Sequence, residues 1–584
     1  MTPGDPLGSL DPSHPRLFLT SERRKALAAG GRDSRLTELK TWLLEEADRL
    51  LELEATEFCI VGPRMLKNCQ QLLRRVATLA LAFQISGSEK YLGRARTELF
   101  RAADFPHWNP EHFLDTAELC TAFAIGYDWL HDSISISDRN RIREALLTKG
   151  LLPGLELQQK PAWWVSVRHN WNIVCNGGLA IGALAVADEE PELAAKILDT
   201  SLARIPLALD TFEPDGAWEA GPHYWEYTSW YSALACDALA TALGSDAGLS
   251  ARGGFRSAGL FALHCAGSSG QYFNYADAEE AVSARPVLFW LGGRFELPNC
   301  IAENHRHLQT QRKAHPFDVV WYEPPPGTVP DLRRAAHFRG TEVVFMRSAW
   351  KDPEASFLAF KAGSGQCDHG HLDLGSFVFD AAGIRWAVDL GPDDYDLPGY
   401  WNAGEEAGRW KYYRLNNRSH NTLVLNGRIQ NWMAATAIAR TNLDGPPYFA
   451  IADLSSAYSA DAESVHRGVA LFDPCGMLVQ DEIAWRADRQ DRVLRWQLMT
   501  NAEIRLAGGN AVFSRCGRSL EARILSPQGA RFSVVPAHRD PPENRNAGYQ
   551  QLALEHVEKG STTCVAVQLS TRARPLEVRP LDTW

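Results

Sequence analysis

The sequence predicts a multidomain α+β protein, an N-terminal α/α toroid followed by a C-terminal antiparallel β-sandwich. Three observations predict it. From about Ser21 to Thr310 apolar residues recur at three- and four-residue spacing, the period of a helix with one buried face. Near Pro324–Pro330 the run PPPGTVP interrupts the pattern and reads as a linker. Beyond it, short apolar/polar alternations separated by Gly, Asp and Asn follow one another, the mark of antiparallel strands joined by turns. With 584 residues the chain exceeds one ordinary domain. The boundaries expected are 1–323 for the helical domain and 331–584 for the β domain.

The helical elements are expected over Cys69–Phe83, Thr116–Leu130, Arg141–Leu152, Asn172–Ala187 and Leu193–Leu209, with Gly, Pro or Asp between them. Helices of similar length on short loops form hairpins. Each hairpin needs a neighbour to cover its apolar face, and a closed α/α toroid supplies one. The strands are expected over Glu342–Met346, Ser356–Lys361, Ser376–Asp380, Ile384–Leu390, Thr422–Asn426, Tyr448–Leu454, Gly476–Ile483, Arg492–Met499, Ala511–Ser514, Phe532–Pro536 and Thr562–Leu569.

A net charge of -11 argues against a broad nucleic-acid-binding surface, while leaving room for a local basic cleft. The 11 cysteines are scattered and form no C-x-x-C pair, which points to a reducing compartment. Met1–Arg16 has no apolar core of a secretion signal, and no apolar run is long enough to span a bilayer. A cytoplasmic location is the expectation for the sequence as written, or a periplasmic or secreted one if a signal has been trimmed. Nineteen Trp offer surfaces for stacking sugar rings as well as for core packing.

Three clusters can carry chemistry. In Arg168-His169-Asn170-Trp171-Asn172, His169 and Asn172 are three residues apart and share one helix face, unless they simply cap the helix. In Pro214–Tyr227, a Gly/Pro loop delivers Glu219, His223, Tyr224 and Glu226. Tyr224, directly after Gly-Pro-His, is the candidate for proton transfer, and Tyr227, Trp230 and Tyr231 are expected in the core. The third cluster joins His369, His371 and Asp373 with Asp389 and His420. His369 and His371 point the same way on a regular strand and apart if Gly370 makes a turn. His371, Asp389 and His420 form a two-His, one-carboxylate set suited to one divalent metal, zinc first and manganese second. Arg409, Lys411 and Arg414 in RWKYYR are candidates for substrate carboxylate or sulfate, with a solvated loop as the alternative. Gly363-Ser364-Gly365 lacks the Lys-Ser/Thr of a phosphate loop.

RHNWNIVCNGG (Arg168–Gly178), PDGAWEAGPHYWEY (Pro214–Tyr227), HGHLDLGSFVFD (His369–Asp380), AVDLGPDDYDLPGYW (Ala387–Trp401) and SHNTLVLNG (Ser419–Gly427), in this order, resemble the heparinase II/III-like polysaccharide lyases. The resemblance implies the same two-domain architecture and β-elimination on a uronic-acid-containing glycosaminoglycan, with alginate as the alternative substrate. It implies Tyr224 as the catalytic Tyr and His169 as the His opposite it. Asn172 and His369 would meet the substrate carboxylate, and Tyr400, Arg414, Trp171 and Glu219 would contact substrate. His371, Asp389 and His420 would hold a structural metal. The partner implied is an anionic uronate polysaccharide or oligosaccharide, without nucleic acid or membrane, and a homodimer is an open arrangement. The motif His-Asn-Trp-Asn departs from the Asn-Asn-His style of alginate-acting members. A glycoside hydrolase using Asp215 and Glu219, or a non-catalytic carbohydrate-binding protein, are the rival readings.

Overall fold

The computed structural model describes residues 6–29, 33–160, 162–402, 404, 408–472, 476–572 and 576–584. Met1–Asp5, part of the expected irregular N-terminus, lie outside the described residues. The chain forms two compact units. The first comprises Met1–Gly216, Glu226–Gly259 and Ser283–Pro330, and the second Ala217–Trp225, Leu260–Val282 and Asp331–Trp584. The linker segment Pro324–Pro330 lies at the end of the first unit, and the second unit also takes two segments from the helical half.

The first unit is helical. Helix α1 (Leu66–Ser86) packs on α2 (Glu89–Ala103) and on α3 (Phe113–Leu130); α3 packs on α4 (Asn170–Ala185), and α4 on α5 (Pro191–Leu209). A helix with neighbours on both sides must be apolar all round. Accordingly, α3 is buried at every position from Phe113 to Leu130. Its approach to α4 is close enough that a Cβ on Gly178 would stand 2.6 Å from the Ala117 carbonyl oxygen. The segment Arg141–Leu152, expected as one helix, is instead a helix to Leu146, a π-helical turn over Leu147–Leu151 and a further helix from Leu152. Pro153 has no N–H for a continuous ladder, which accounts for the break.

Several charged-type side chains sit inside this stack, Asp115, Glu118 and Asp128 of α3 among them. Glu118 of α3 is buried and accepts the Tyr227 hydroxyl at 2.7 Å and the Gln70 amide at 3.3 Å. Burial pushes its carboxyl up to about 7, against the pull of those hydrogen bonds. No helix among the described residues is long and apolar enough to cross a membrane.

The second unit is built on three antiparallel sheets. A five-stranded sheet runs in sequence order through β1 (Ala335–Phe338), β2 (Val343–Arg347), β3 (Phe357–Lys361), β4 (Phe377–Ala381) and β5 (Ile384–Ala387). The remaining strands are β6 (Leu423–Leu425), β7 (Ala435–Asn442), β8 (Tyr448–Asp453), β9 (Ala462–Phe472), β10 (Gly476–Trp485), β11 (Val493–Thr500), β12 (Glu503–Ala507), β13 (Asn510–Arg515), β14 (Arg518–Ser526), β15 (Phe532–Pro536), β16 (Gln550–Val557) and β17 (Thr562–Ser570). They form a large sheet in the order β12-β13-β14-β17-β10-β9-β8-β7, extended by the two-residue strand Gly363–Ser364, and a small sheet β15-β16-β11-β6. One apolar core joins them, with Phe360, Phe377, Phe379, Trp386, Val469, Val479, Trp496 and Val567 among its members. Each such large side chain contributes roughly 2–3 kcal/mol when removed from water.

Strands β2, β3 and β4 are buried at every residue, so both their faces are covered. The segment Leu260–Val282 supplies part of that cover. Phe261 packs edge-on against Phe338 at 5.3 Å and Phe345 at 6.2 Å. Arg347 donates to the carbonyls of His264 and Ala266, both at 3.0 Å, and Arg385 donates to those of Tyr272 at 2.8 Å and Gln271 at 2.9 Å. Two sheet arginines therefore pin this segment, and with it Asn274–Asp277, onto the β unit.

Candidate active site

Helix Gly221–Leu243, named α6 here, begins at a glycine that no other residue can replace cheaply. Gly221 has φ +83°, and a Cβ there would stand 2.5 Å from the Tyr275 carbonyl oxygen. The Tyr275 hydroxyl in turn donates to the Trp218 carbonyl at 2.6 Å. This contact fixes the first turn of α6, which carries Tyr224. The Tyr224 ring stacks on the His369 imidazole, with centroids 3.7 Å apart and planes 21° apart. Its hydroxyl lies 3.0 Å from that of Tyr395. Burial, followed by the nearby Asp277 charge, raises the Tyr395 pKa, so its hydroxyl keeps its proton and is able to donate to the Tyr224 oxygen, although either hydroxyl of the pair can be the donor.

His369 sits in left-handed backbone at φ +56°. The loop turns at Gly370, whose N–H donates to the Cys367 carbonyl at 3.0 Å. The two histidines of His-Gly-His are therefore on a turn and not on a regular strand, yet their side chains converge. His369 Nδ1 donates to Asp277 Oδ2 at 2.7 Å, and His371 Nε2 donates to Asp277 Oδ1 at 2.9 Å. Oδ1 also accepts the Tyr400 hydroxyl at 2.6 Å, with the Arg409 guanidinium 3.9 Å away. Asp277 is buried, which alone would favour its neutral form, but the bonds from His369 and His371 hold its pKa well below the usual carboxylate range. Asp277 was not singled out in the sequence. It lies in NYADAEE, a run with no motif around it.

Behind this group lies a second buried set. His420 Nδ1 donates to Asp389 Oδ2 at 2.7 Å, and Asp389 Oδ1 accepts the Gly391 N–H at 2.9 Å. Desolvation lowers the His371 pKa, while the Asp389 carboxylate overcomes burial and raises that of His420. The His371 and His420 rings are 5.3 Å apart, and His371 Nδ1 and His420 Nε2 are buried without a protein partner. Asp373 holds Lys361 at 2.6 Å through Oδ1, and its Oδ2 is likewise buried and unpartnered. Among the described residues no group of three or more His, Cys, Asp or Glu forms a ready metal cage. The fit of a metal here is partial. Two imidazoles on one zinc ion, each bonded at ~2.0–2.1 Å, have ring centres about 5 Å apart. That matches the observed pair, with their free nitrogens as donors, whereas both oxygens of Asp389 are already engaged.

Other expected contacts are placed differently. Tyr400 is fully buried under Trp401 and Tyr395, so the tyrosine that reaches Tyr224 is Tyr395 and not Tyr400. Arg414, expected to face substrate, donates to the carbonyls of Leu390 (3.0 Å) and Pro392 (2.6 Å) and to Asn546 (2.8 Å). Arg409 likewise braces the carbonyls of Tyr400 and Gly370, both at 2.9 Å. These two arginines hold the loop, and Lys411 is exposed. Glu219 is exposed and accepts the Asp368 N–H at 3.4 Å; partial desolvation raises its carboxyl.

The first unit holds its own cluster. His169 is the N-cap residue of α4 in extended backbone, but its side chain makes no capping bond, so simple capping does not explain it. Trp171 lies 4.6 Å from Trp163 and edge-on to His112 at 4.9 Å. Trp163, which the sequence reading passed over, is 57% exposed and lies 6.0 Å from the His169 ring. Asn172 is fully buried and donates its amide to the Val165 carbonyl at 3.1 Å. It therefore ties the turn Trp163–Val165 to α4 instead of presenting a donor to a ligand.

Residues 330–567 match the family described as heparinase II/III-like, C-terminal. No curated protein matches the chain in a sequence search. Among solved structures, a heparinase III crystal structure aligns with TM-score 0.64 at 12% identity, covering 94% of each chain. The heparinase III BT4657 gene product aligns with TM-score 0.60 at 13% identity, covering 91% of this chain and 84% of the other. Heparan sulfate lyase HepC from Pedobacter heparinus aligns with TM-score 0.56 at 12% identity, covering 94% and 90%. These likenesses establish the fold, and the family match is confined to residues 330–567.

Proposed function

We propose that the chain is a heparinase II/III-like polysaccharide lyase that cuts a uronic-acid-containing glycosaminoglycan by β-elimination, with Tyr224 as the proton-transfer group. The observation that carries this reading is the Tyr224 hydroxyl, held 3.0 Å from that of Tyr395 while its ring lies flat on His369.

The chemistry explains the need for such a group. The C5 hydrogen of a uronate lies next to a carboxylate and is barely acidic while that carboxylate is charged. A hydrogen-bond donor on the carboxylate stabilises the charge that builds as C5 loses its proton. His369 is suited to this in its doubly protonated form, with Nδ1–H held by Asp277 and Nε2–H left to donate to the substrate carboxylate. The Tyr224 oxygen takes the C5 proton, the C5–H electron pair forms the C4–C5 double bond, and the C4–O4 bond breaks. The same hydroxyl then returns a proton to O4. The Tyr395 O–H bond stabilises the Tyr224 oxygen while it is charged. His169 serves as base for the opposite C5 epimer, and Trp171, with exposed Trp163 beside it, stacks on a sugar ring.

A divalent ion, zinc first, would be held by His371 and His420 through their unpartnered nitrogens. It would supply rigidity to the loop behind His369. Asp389 would orient His420, and Asp277 would orient His371.

The test is to incubate the protein separately with heparan sulfate, chondroitin sulfate, hyaluronan and alginate and to follow near-ultraviolet absorbance of an unsaturated uronate. A rise on a glycosaminoglycan that Tyr224→Phe abolishes supports the reading. A rise on alginate alone moves the substrate class, and hydrolysis without absorbance removes the lyase mechanism.

A further inference from the structure

We infer that Asp277 is a positioning residue for the reaction, holding the Nδ1–H of His369 so that Nε2 faces the substrate; this rests on the lyase reading above. A carboxylate has about four lone-pair sites. Those of Asp277 take three short bonds, from His369 Nδ1, His371 Nε2 and the Tyr400 hydroxyl. The acceptor dictates the tautomer of each ring it receives. His369 is thereby protonated at Nδ1 and keeps Nε2 outward, 3.7 Å from Asp368 Oδ2. The ring is further clamped, by the flat face of Tyr224 at 3.7 Å on one side and the edge of Trp401 at 5.3 Å. One buried anion thus ties the histidine beside Tyr224, a histidine of the inner pair and a tyrosine of the same loop to a single point. The segment that carries it is pinned to the sheet by Arg347 and Arg385.

The two carboxylate oxygens are not equivalent, and this makes the inference sharp. Oδ1 accepts two bonds, from His371 and Tyr400, and Oδ2 accepts one, from His369. In Asp277→Asn the amide has one acceptor and one donor end. Its oxygen satisfies more partners on the Oδ1 side, so its NH2 faces His369 Nδ1. That contact requires Nδ1 to be unprotonated, and the His369 proton moves to Nε2. The variant keeps the size of the side chain, moves the proton of the neutral ring, and takes away the acceptor that lets Nδ1 carry a proton while Nε2–H donates to the substrate carboxylate.

Long-range 1H–15N spectra of protein labelled at its 17 histidines read this directly, with the His369 signal identified by its loss in His369→Ala. Spectra are taken at a pH where the rings are neutral. The expected result is an Nδ1–H ring at His369 in the unaltered protein and an Nε2–H ring in Asp277→Asn. With it comes a roughly 10–100-fold loss of kcat, as for other residues that orient a reacting group, at nearly unchanged KM and melting temperature. An Nε2–H ring at His369 in the unaltered protein overturns the inference, and so does an Asp277→Asn protein of full kcat. Should that variant fail to fold, the tautomer in the unaltered protein decides alone. Should no polymer be cut, the lyase reading fails while the tautomer still tests Asp277.

Discussion

The two clusters of candidate residues are held in opposite ways. Around Tyr224 almost every polar atom is tied to another: Tyr224 to Tyr395, and His369, His371 and Tyr400 to Asp277. Around His169 the ties are aromatic faces, Trp171 on Trp163 and His112, with an exposed indole at the edge. A hydrogen-bonded network fixes direction to within a few tenths of an ångström and suits proton transfer, which fails when the geometry slips. Stacked rings tolerate sliding and suit the grip of a sugar ring.

That contrast can be broken by experiment. The largest effect is expected from Tyr224→Phe, which removes the transferring oxygen: kcat falls about 10²–10⁴-fold while KM moves little, read as product absorbance. A KM effect alone would place Tyr224 with the stacking residues. Next comes a buried carboxyl of the helical unit, which carries neither role. Glu118 titrates at about 7 in the fold against 4.5 ordinarily. Below pH 4.5 it is protonated in folded and unfolded protein alike, and its contribution is intact. As pH rises from there to about 7 the unfolded form ionises first, and stability falls by roughly 3 kcal/mol in all. Glu118→Gln should flatten that slope in thermal melts; an unchanged slope would mean that other groups carry it. Tyr395→Phe loses one hydrogen bond to the Tyr224 oxygen, and kcat should drop roughly tenfold. No change would leave Tyr224 to act without its neighbour. In the aromatic cluster, Trp171→Ala should raise KM only several-fold, about 1 kcal/mol of stacking, with kcat kept. His169→Ala should lower turnover on one C5 epimer only, and equal loss on both would end that division of labour.

Much of this architecture could be read from the chain. Helices α1, α3, α4 and α5 and most strands of the sandwich fall where periodicity puts them, because each buries one regular stripe or face. Strand β9 escaped notice, for its residues AESVHRGVALF carry an arginine at the centre. Arg467 is fully buried there, paired with Asp481 at 2.7 and 3.0 Å, so a charge that looks solvated is part of the interior. The site was legible in the same partial way. Tyr224 and His369 stand in dense motifs and do come together. In DYDLPGY, however, either tyrosine can follow the turn, and only the fold shows that Tyr395 reaches Tyr224 while Tyr400 turns inward. Arg414 looked like an anion binder because a guanidinium meeting backbone carbonyls leaves no mark in the sequence. Asp277 was invisible for a related reason: its partners lie about 90 or more positions away, at sequence separations of 92, 94 and 123.

The division of the chain also bears on how chains of this fold can be recombined. The segment recognisable from sequence begins at 330, yet Tyr224 and Asp277 belong to the same compact unit through Ala217–Trp225 and Leu260–Val282. A chimera spliced at the proline-rich linker would pair His369, His371 and Tyr400 with the carboxylate and the phenol of a different parent. Its two halves would inherit complete sheets and complete helices but a mismatched lock. Exchange of specificity between relatives therefore calls for three stretches of gene moved together, and a single crossover at the obvious seam should yield proteins that fold and do not turn over.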